Sequence, residues 1–553
     1  MGKQASGRDI FLELLLDEGI THFFGNPGTT ELPIIEALPR HPDLQYVLGL
    51  QEAVVVAMAD GYSRATGRLT ACNLHCAPGL GNAMGAIYNA KFSGSPIIIT
   101  AGQYEIGYGL TEPLLYEPLV QIAQPLVKWA VEVQRPEDLP RIVRRAAKIA
   151  MTPPMGPVFI SLPGSVLHAE VDVDFGKRTR IEHAVRPTDA VIEAVAGDIL
   201  RAKKPVIIAG SELELRDAFA EAAAFAELIG APVYVEPVPY NARFPNTHPL
   251  AMGDITRNQP QVRKTLSEYD LLICLGADLL RMSPFNPVDP MPSGLNVVHI
   301  SERPWELGKN YHVEHAICAN VKATLTDLNA KISGANHGDL CSSAQQRVNA
   351  ITSKNWQVAR SAEIDRIKSL TQTEKIHPDE LMLGISEYLP DTAIVVEESL
   401  TTASCLAKLL KIDSGCRYFG LASGGLGFGL AGAVGVSLAH PDKQVVAVLG
   451  DGSSMYGIQG LWTAAHFQLA ITFVIVNNRS YRILKDRMPG APGAANFIGM
   501  DFDNPPMSFV DIAHGLGLPA SKVRSQAELQ AFLESLESRN GPRLVEVIVD
   551  NGY

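Results

Sequence analysis

The stretch VVAVLGDGSSMYGIQGLWTAAHFQLAITFVIVNN, Val445 to Asn478, decides the fold of this chain. VVAVLG is an apolar run that breaks at GDG, where amides without side chains can approach a phosphate and Asp451 can face a hard cation. A helical segment carries the chain back, and ITFVIV forms a second strand with Asn477 and Asn478 at its carboxyl end. That is one βαβ unit, with its oxygen ligands gathered where open α/β sheets bind their ligands. Mg²⁺ keeps few protein ligands and takes the rest from phosphate and water. Asp451, Asn478 and one carbonyl, Ser480 by position, would suffice.

Working outward, the same alternation recurs in three blocks. The expected fold class is α/β, with three doubly wound domains and mostly parallel sheets, over residues 1–180, 185–340 and 370–553. Strands are read at THFFGNP, LQYVLGL, LTACNLH, SPIIITAG and PVFISLP; then at KPVIIAG, APVYVEP, DLLICLG and NVVHIS; then at TAIVVEE, QVVAVLG, ITFVIVNN and RLVEVIVD. The joints, residues 172–189 and 329–346, are polar and poor in periodicity. Asn73 to Gly102 repeats the strand, glycine turn, Ala-rich helix and strand of the Val448 to Asn478 segment. Such likeness is weak evidence of duplication by itself.

At 553 residues the chain can bury large cores. Its net charge of −12, without a basic run, argues against nucleic acid or an anionic membrane as partner. Seven cysteines, Cys341 and Cys416 among them, form no CxxC, so neither disulfides nor zinc are indicated. The N-terminus reads as an amphipathic helix rather than a signal peptide, and a cytoplasmic enzyme is expected. Phe419 to Ala439 is uncharged and long enough to span a bilayer, but its glycine density points to a buried turn and helix.

The run from GDG to the paired asparagines resembles the thiamine diphosphate signature. With FFGNPGTTELP, LGLQEA, NLHCAPGLGNAMGAIYNA, SPIIITAGQ, PLVKWA, ASGGLGFGL and LWTAA, the chain resembles the decarboxylase and carboligase family that uses this cofactor, above all its benzoylformate decarboxylases. The resemblance implies pyrimidine-binding, central and diphosphate-binding domains in that order. It implies that Glu52 hydrogen-bonds the cofactor's aminopyrimidine and activates it, a role suited to a carboxylate before the apolar helix AVVVAMA. His75 matches a histidine beside the reacting carbon, and an imidazole can give and take protons near neutral pH. Thr29 stands where the family has a substrate-orienting serine. Gly424 would receive the 4′-amino group through its carbonyl, and Leu426 would wedge between the cofactor's rings. Thr401, Gly452, Ser453 and Tyr481 complete the implied cofactor site, with Asp451, Asn478 and Ser480 on the metal.

Gly427, Gly429 and Gly432 also satisfy GxGxxG, but no acidic residue closes an adjoining strand about twenty residues on. The thiamine reading accounts for the same glycines. The implied substrate pocket holds Leu114, Leu115, Ser283, Gly420 and Ile483. Here the chain departs from the family: Ser283 falls where a second histidine is expected, Gly420 replaces a ring, Ile483 replaces a small residue, and Leu400 replaces a hydroxyl residue. The expected activity is therefore Mg²⁺- and thiamine diphosphate-dependent, non-oxidative decarboxylation of a benzoylformate-like 2-oxoacid, with carboligation of aldehydes. The alternatives are a lyase or ligase of the 2-hydroxyacyl-CoA lyase or acetolactate synthase kind, or a non-catalytic cofactor-binding regulatory subunit. Retention of both Glu52 and Asp451 argues against the last. The resemblance further implies a homodimer or homotetramer whose sites are shared between subunits.

Overall fold

The computed structural model describes residues 3–236, 240, 244–334, 338–370, 375–413, 417–488, 497–537 and 541–550; Cys416 lies outside them, as does the side chain of Cys341. Three six-stranded sheets, parallel throughout, follow one another along the chain. Their central strands are apolar runs buried on both faces, as a parallel sheet covered by helices requires.

The first sheet holds His22–Gly25, Gln45–Leu48, Thr70–Leu74, Ile97–Gln103, Ala130–Glu132 and Val158–Pro163, in the order second, first, third, fourth, sixth, fifth. The third sheet holds Ile394–Glu398, Tyr418–Gly420, Val445–Gly450, Ile471–Asn477, Ala520–Val523 and Arg543–Ile548, and repeats that order. The strand order thus extends the likeness seen between two short segments to whole domains. The central sheet holds Pro205–Ala209, Val233–Val235, Ala251–Asp254, Leu271–Leu275, Asn296–Ser301 and His315–Cys318, in the order third, second, first, fourth, fifth, sixth. That is the order of dinucleotide-binding sheets, whose switch point lies between the first and fourth strands.

Two expectations need correction. The joint at 329–346 is not irregular: helices Val321–Gly334 and Gly338–Thr352 cover it except for 335–337, which lie outside the described residues. Its sparse apolar residues suffice because each helix needs only one buried stripe. At the N-terminus, Lys3–Ser6 is a strand paired antiparallel with Glu170–Val173, and the helix starts only at Gly7 with Ser6 as its cap. No helix among the described residues is long and apolar enough to cross a membrane. The uncharged Phe419 to Ala439 segment is a strand end, a turn and the buried helix Phe428–Ala439.

That helix packs against Glu52–Thr66, joining the first and third domains, and glycine makes the approach possible. A Cβ on Gly61 would lie 2.2 Å from the Gly432 carbonyl oxygen, and one on Gly435 would lie 2.0 Å from that of Met58. Beside this contact Arg64 ties all three domains together. Its guanidinium donates to the carbonyls of Tyr240 in the central domain and Gly420 in the third (the latter at 2.9 Å), and lies 4.3 Å from the centre of the Phe428 ring.

Candidate active site

In the third sheet Gly450 pairs with Val476, so Asp451 and Asn478 emerge side by side at the carboxyl edge. Asp451 Oδ1 accepts the Gly452 amide at 2.8 Å, and Oδ2 is buried without a hydrogen-bond partner. Burial pushes the Asp451 carboxyl up to about 6, against the pull of the Gly452 amide and of the nearby Arg479, Ser480 and Asn478 amides, none of which makes a well-formed hydrogen bond to it. A buried acceptor left unpaired is costly. An oxygen-ligated cation would satisfy it, so the residues present fit a hard metal ion. Asn478 Oδ1 accepts the Ser480 amide at 3.0 Å. Its neighbour Asn477 is structural, donating to Glu546 at 2.8 Å and accepting the Arg479 amide at 3.0 Å. A Cβ on Gly452 would fall 2.5 Å from the Tyr481 ring, which meets Phe502 edge-on. Ser453 Oγ donates to the Glu398 carbonyl at 2.7 Å.

Glu398, unread in the sequence, governs the glycine loop. From the end of its strand it accepts the Gly427 amide at 2.7 Å and the Gly429 amide at 2.5 Å. The helix N-terminus that a GxGxxG motif would offer to a pyrophosphate is therefore capped by this carboxylate. Gly424, at φ +83°, and Gly427, at φ +108°, adopt the left-handed backbone the loop needs. Leu426 lines a cavity of about 220 Å³ with Gln51, Asn82 and Tyr456.

In the first domain Glu52 begins its helix, buried, and its Oε2 accepts from Asn82 Nδ2 at 3.1 Å. A Cβ on Gly79 would lie 3.1 Å from Glu52 Oε1, and the Gly79 amide donates to the His75 carbonyl at 2.9 Å. One helical turn thus spans Glu52 and His75. The structure adds a third member, Glu31, which is fully buried. Glu31 Oε2 lies 2.7 Å from His75 Nδ1 and accepts the Gly28 amide at 2.9 Å; Oε1 accepts the Gly102 amide at 2.8 Å and the Thr30 hydroxyl at 2.8 Å. With four donors around it, this carboxylate assigns the proton of His75 to Nδ1 and leaves Nε2 as the other reactive atom. Thr29 itself is exposed, and Thr30 is the threonine in contact with His75, at 3.2 Å.

Sequence models of thiamine pyrophosphate enzymes (pyrophosphate being another name for the diphosphate) match in the same order as the sheets. The N-terminal TPP binding domain matches residues 5–114, the central domain 192–328 and the C-terminal TPP binding domain 402–547. The chain is 32% identical to benzoylformate decarboxylase of Pseudomonas aeruginosa over 97% of both proteins. The chain belongs to the thiamine pyrophosphate enzyme family. It is also 27% identical to acetolactate synthase 1 of Nicotiana tabacum, over 98% of this chain and 81% of that one. Among solved structures it resembles the thiamine diphosphate-dependent 4-hydroxybenzoylformate decarboxylase of Rhodococcus jostii, with TM-score 0.86, 30% identity and 99% of each chain covered. The benzoylformate decarboxylase of Polynucleobacter necessarius is similar, with TM-score 0.86, 29% identity and 99% of each chain.

The remaining expected residues of this thiamine pyrophosphate enzyme are more dispersed. Thr401 and Leu400 line a cavity of about 340 Å³ with His377 and Arg482. Ile483 sits in the short helix Arg482–Arg487. Gly420 is buried at a strand end, where its carbonyl accepts from Arg64. Leu114 is 82% exposed, and Leu115 follows with φ +72°. Ser283 is exposed in the central domain. The structure brings together Asp451, Gly452, Asn478, Ser480 and Tyr481 on one edge, and Glu52 with His75 on another. Among the described residues, Leu114, Leu115 and Ser283 form no hydrogen bond with either group.

Proposed function

We propose that this thiamine pyrophosphate enzyme decarboxylates a benzoylformate-like 2-oxoacid without oxidation and also joins aldehydes. The observation that carries this reading is the single helical turn linking Glu52, a buried carboxylate, to His75, an imidazole fixed by Glu31. Such a pair provides two separate proton-handling groups, one for activating a cofactor and one for substrate. Asp451, Asn478 and the Ser480 carbonyl would hold Mg²⁺, and Thr401, Gly452, Ser453, Gly424, Leu426 and Tyr481 would hold the cofactor. When bound, thiamine diphosphate supplies an electron sink for carbon–carbon cleavage. Glu52 holds the proton that tunes the aminopyrimidine. His75 Nε2 exchanges protons with the substrate carbon and oxygen, and Thr29 orients the carboxylate.

Carbon–carbon ligation is the second reading, favoured by Ser283. A hydroxyl there cannot donate as an imidazolium does, so protonation of the product carbon falls to His75 and a second carbonyl competes better. The acetolactate synthase relatives accord with this. In this reading Glu52 serves the third domain of a partner subunit, in a homodimer or homotetramer.

The test is to supply holoenzyme with a panel of 2-oxoacids, with and without an aldehyde, and to identify products by mass spectrometry. Slow benzoylformate decarboxylation with appreciable 2-hydroxyketone is expected. Glu52→Gln should slow cofactor C2–H/D exchange by about a hundredfold or more. Exchange at the wild-type rate would remove Glu52 from this role.

A further inference from the structure

The turn that carries Gly424 is fastened to the first domain. Ser423 to Gly425 lies against the helix Cys76–Ser93, so close that a Cβ on Gly425 would be 3.5 Å from the Gly85 carbonyl oxygen and 3.8 Å from the Tyr88 ring. Asn89, from that helix, makes the polar contact: its Oδ1 accepts the Ser423 amide at 3.2 Å and the Ser423 hydroxyl at 3.1 Å. The Ser423 oxygen in turn accepts the Gly425 amide at 3.1 Å. Asn89 and Gly425 border the same cavity as Leu426.

The direction of each bond is set from a carboxylate. Asp60 stands on the helix Glu52–Thr66; its Oδ1 accepts the hydroxyls of Ser93, at 2.9 Å, and Ser95, and its Oδ2 accepts Asn89 Nδ2 at 2.8 Å. An ionised carboxyl can only accept, so the amide nitrogen of Asn89 faces Asp60 and its oxygen faces Ser423. Ser423 then gives its single hydroxyl proton to Asn89 and keeps a lone pair for Gly425. Asp60, Asn89, Ser93 and Ser95 are each no more than 2% exposed. A buried polar network satisfied in this way holds one arrangement.

The series of bonds ends on the peptide group between Gly424 and Gly425. That peptide is trans, so its carbonyl points away from its N–H. The Gly425 N–H is aimed at Ser423 Oγ, and the Gly424 carbonyl is therefore turned the opposite way. Packing does not fix it: nothing lies within 4 Å of where a Cβ on Gly424 would be, and glycine is free to turn. Glu398 fixes the far end of the loop from within the third domain, and Asn89 fixes the near end from the first.

We propose that Asn89 is a positioning residue, which through Ser423 holds the Gly424 carbonyl at the angle that receives the cofactor's 4′-amino group. Asp60 keeps Asn89 in the required orientation. This rests on the functional reading above, in which the Gly424 carbonyl meets that amino group.

The test is calorimetry on the full-length chain freed of cofactor, in Mg²⁺ buffer, with thiamine diphosphate and with oxythiamine diphosphate, in which a carbonyl oxygen replaces the 4′-amino group. The wild-type chain should bind thiamine diphosphate the more tightly. Ser423→Ala should weaken thiamine diphosphate about tenfold, the scale of one hydrogen bond, and should not weaken the analogue. It should also slow cofactor C2–H/D exchange by about tenfold or more, because activation depends on how the amino group is oriented. Asn89→Ala should act in the same direction, and Ser423→Thr, which keeps the hydroxyl, should behave as wild type. Ser423 is half-buried, so its variants test the anchor even where Asn89→Ala, which strips Asp60 of a donor, fails to fold. The proposal is overturned if Ser423→Ala weakens both ligands alike, the mark of a loop merely loosened, or changes neither; the functional reading then stands. A wild-type chain that binds the two ligands equally would remove the Gly424 contact itself, and the reading and the proposal would fall together.

Discussion

At the scale of single residues, two buried glutamates do work that no local string of letters announces. Glu31 orients His75 from a turn whose other partner, Gly102, lies 71 residues on. Glu398 caps a loop 29 residues away. The placement of Asp451, Asn478 and Glu52 at turns was legible because strand, turn and polar side chain lie within a few residues of one another. Glu31 and Glu398 acquire their partners only when the sheets form; the sole hints were an acidic residue among turn formers in GTTELP and the acidic pair ending IVVEE. Glu31→Gln should keep cofactor affinity and C2 exchange but lower kcat by at least about tenfold, since it frees the His75 ring; stopped assays and exchange rates measured together check this. Burial raises the Glu398 carboxyl from 4.5 to about 7, although the Gly427 and Gly429 amides oppose the shift. The folded state then holds this proton more tightly than the unfolded chain does. Its contribution to stability is complete below about pH 4.5 and is lost as the pH rises through about 7. Glu398→Gln should flatten the fall of Tm across that window, read by calorimetry at successive pH values.

At the scale of elements, the strands with long apolar runs were legible and the edges were not, Gln45–Leu48 excepted. Ala130–Glu132, Ala251–Asp254, His315–Cys318, Tyr418–Gly420 and Ala520–Val523 all lie at the margins of their sheets. An edge strand has one pairing partner and is short, so it needs neither a continuous apolar run nor strong β-propensity. The helix contact between the first and third domains was equally hidden, because glycines that read as flexibility serve there as clearance. Gly435→Ala places a methyl group 2.0 Å from the Met58 carbonyl oxygen, on a backbone that cannot yield like a side chain. It should cost about 1–3 kcal/mol or more by urea unfolding.

At the scale of the whole molecule, two domains of like strand order pack together through the helices Glu52–Thr66 and Phe428–Ala439, and Arg64 ties a third of different order to them. A twofold assembly would place the Glu52 edge of one chain against the Asp451 edge of another. Glu52→Gln and Asp451→Ala chains, each inactive alone, should then recover part of the activity when unfolded and reassembled together. One site of each mixed dimer would carry both lesions and the other none. Activity that stays at zero in demonstrable mixed dimers would mean that each chain builds its own site. The Arg64 anchor has a different consequence. Its guanidinium belongs to the first domain, yet its acceptors are the carbonyls of Tyr240 and Gly420 in the other two. Detaching either neighbour would strand a buried cation, which costs several kcal/mol unless the rest follows. The three domains should thus melt together. A scan should show a single endotherm whose calorimetric and van't Hoff enthalpies agree, and Arg64→Met should split it into separable transitions.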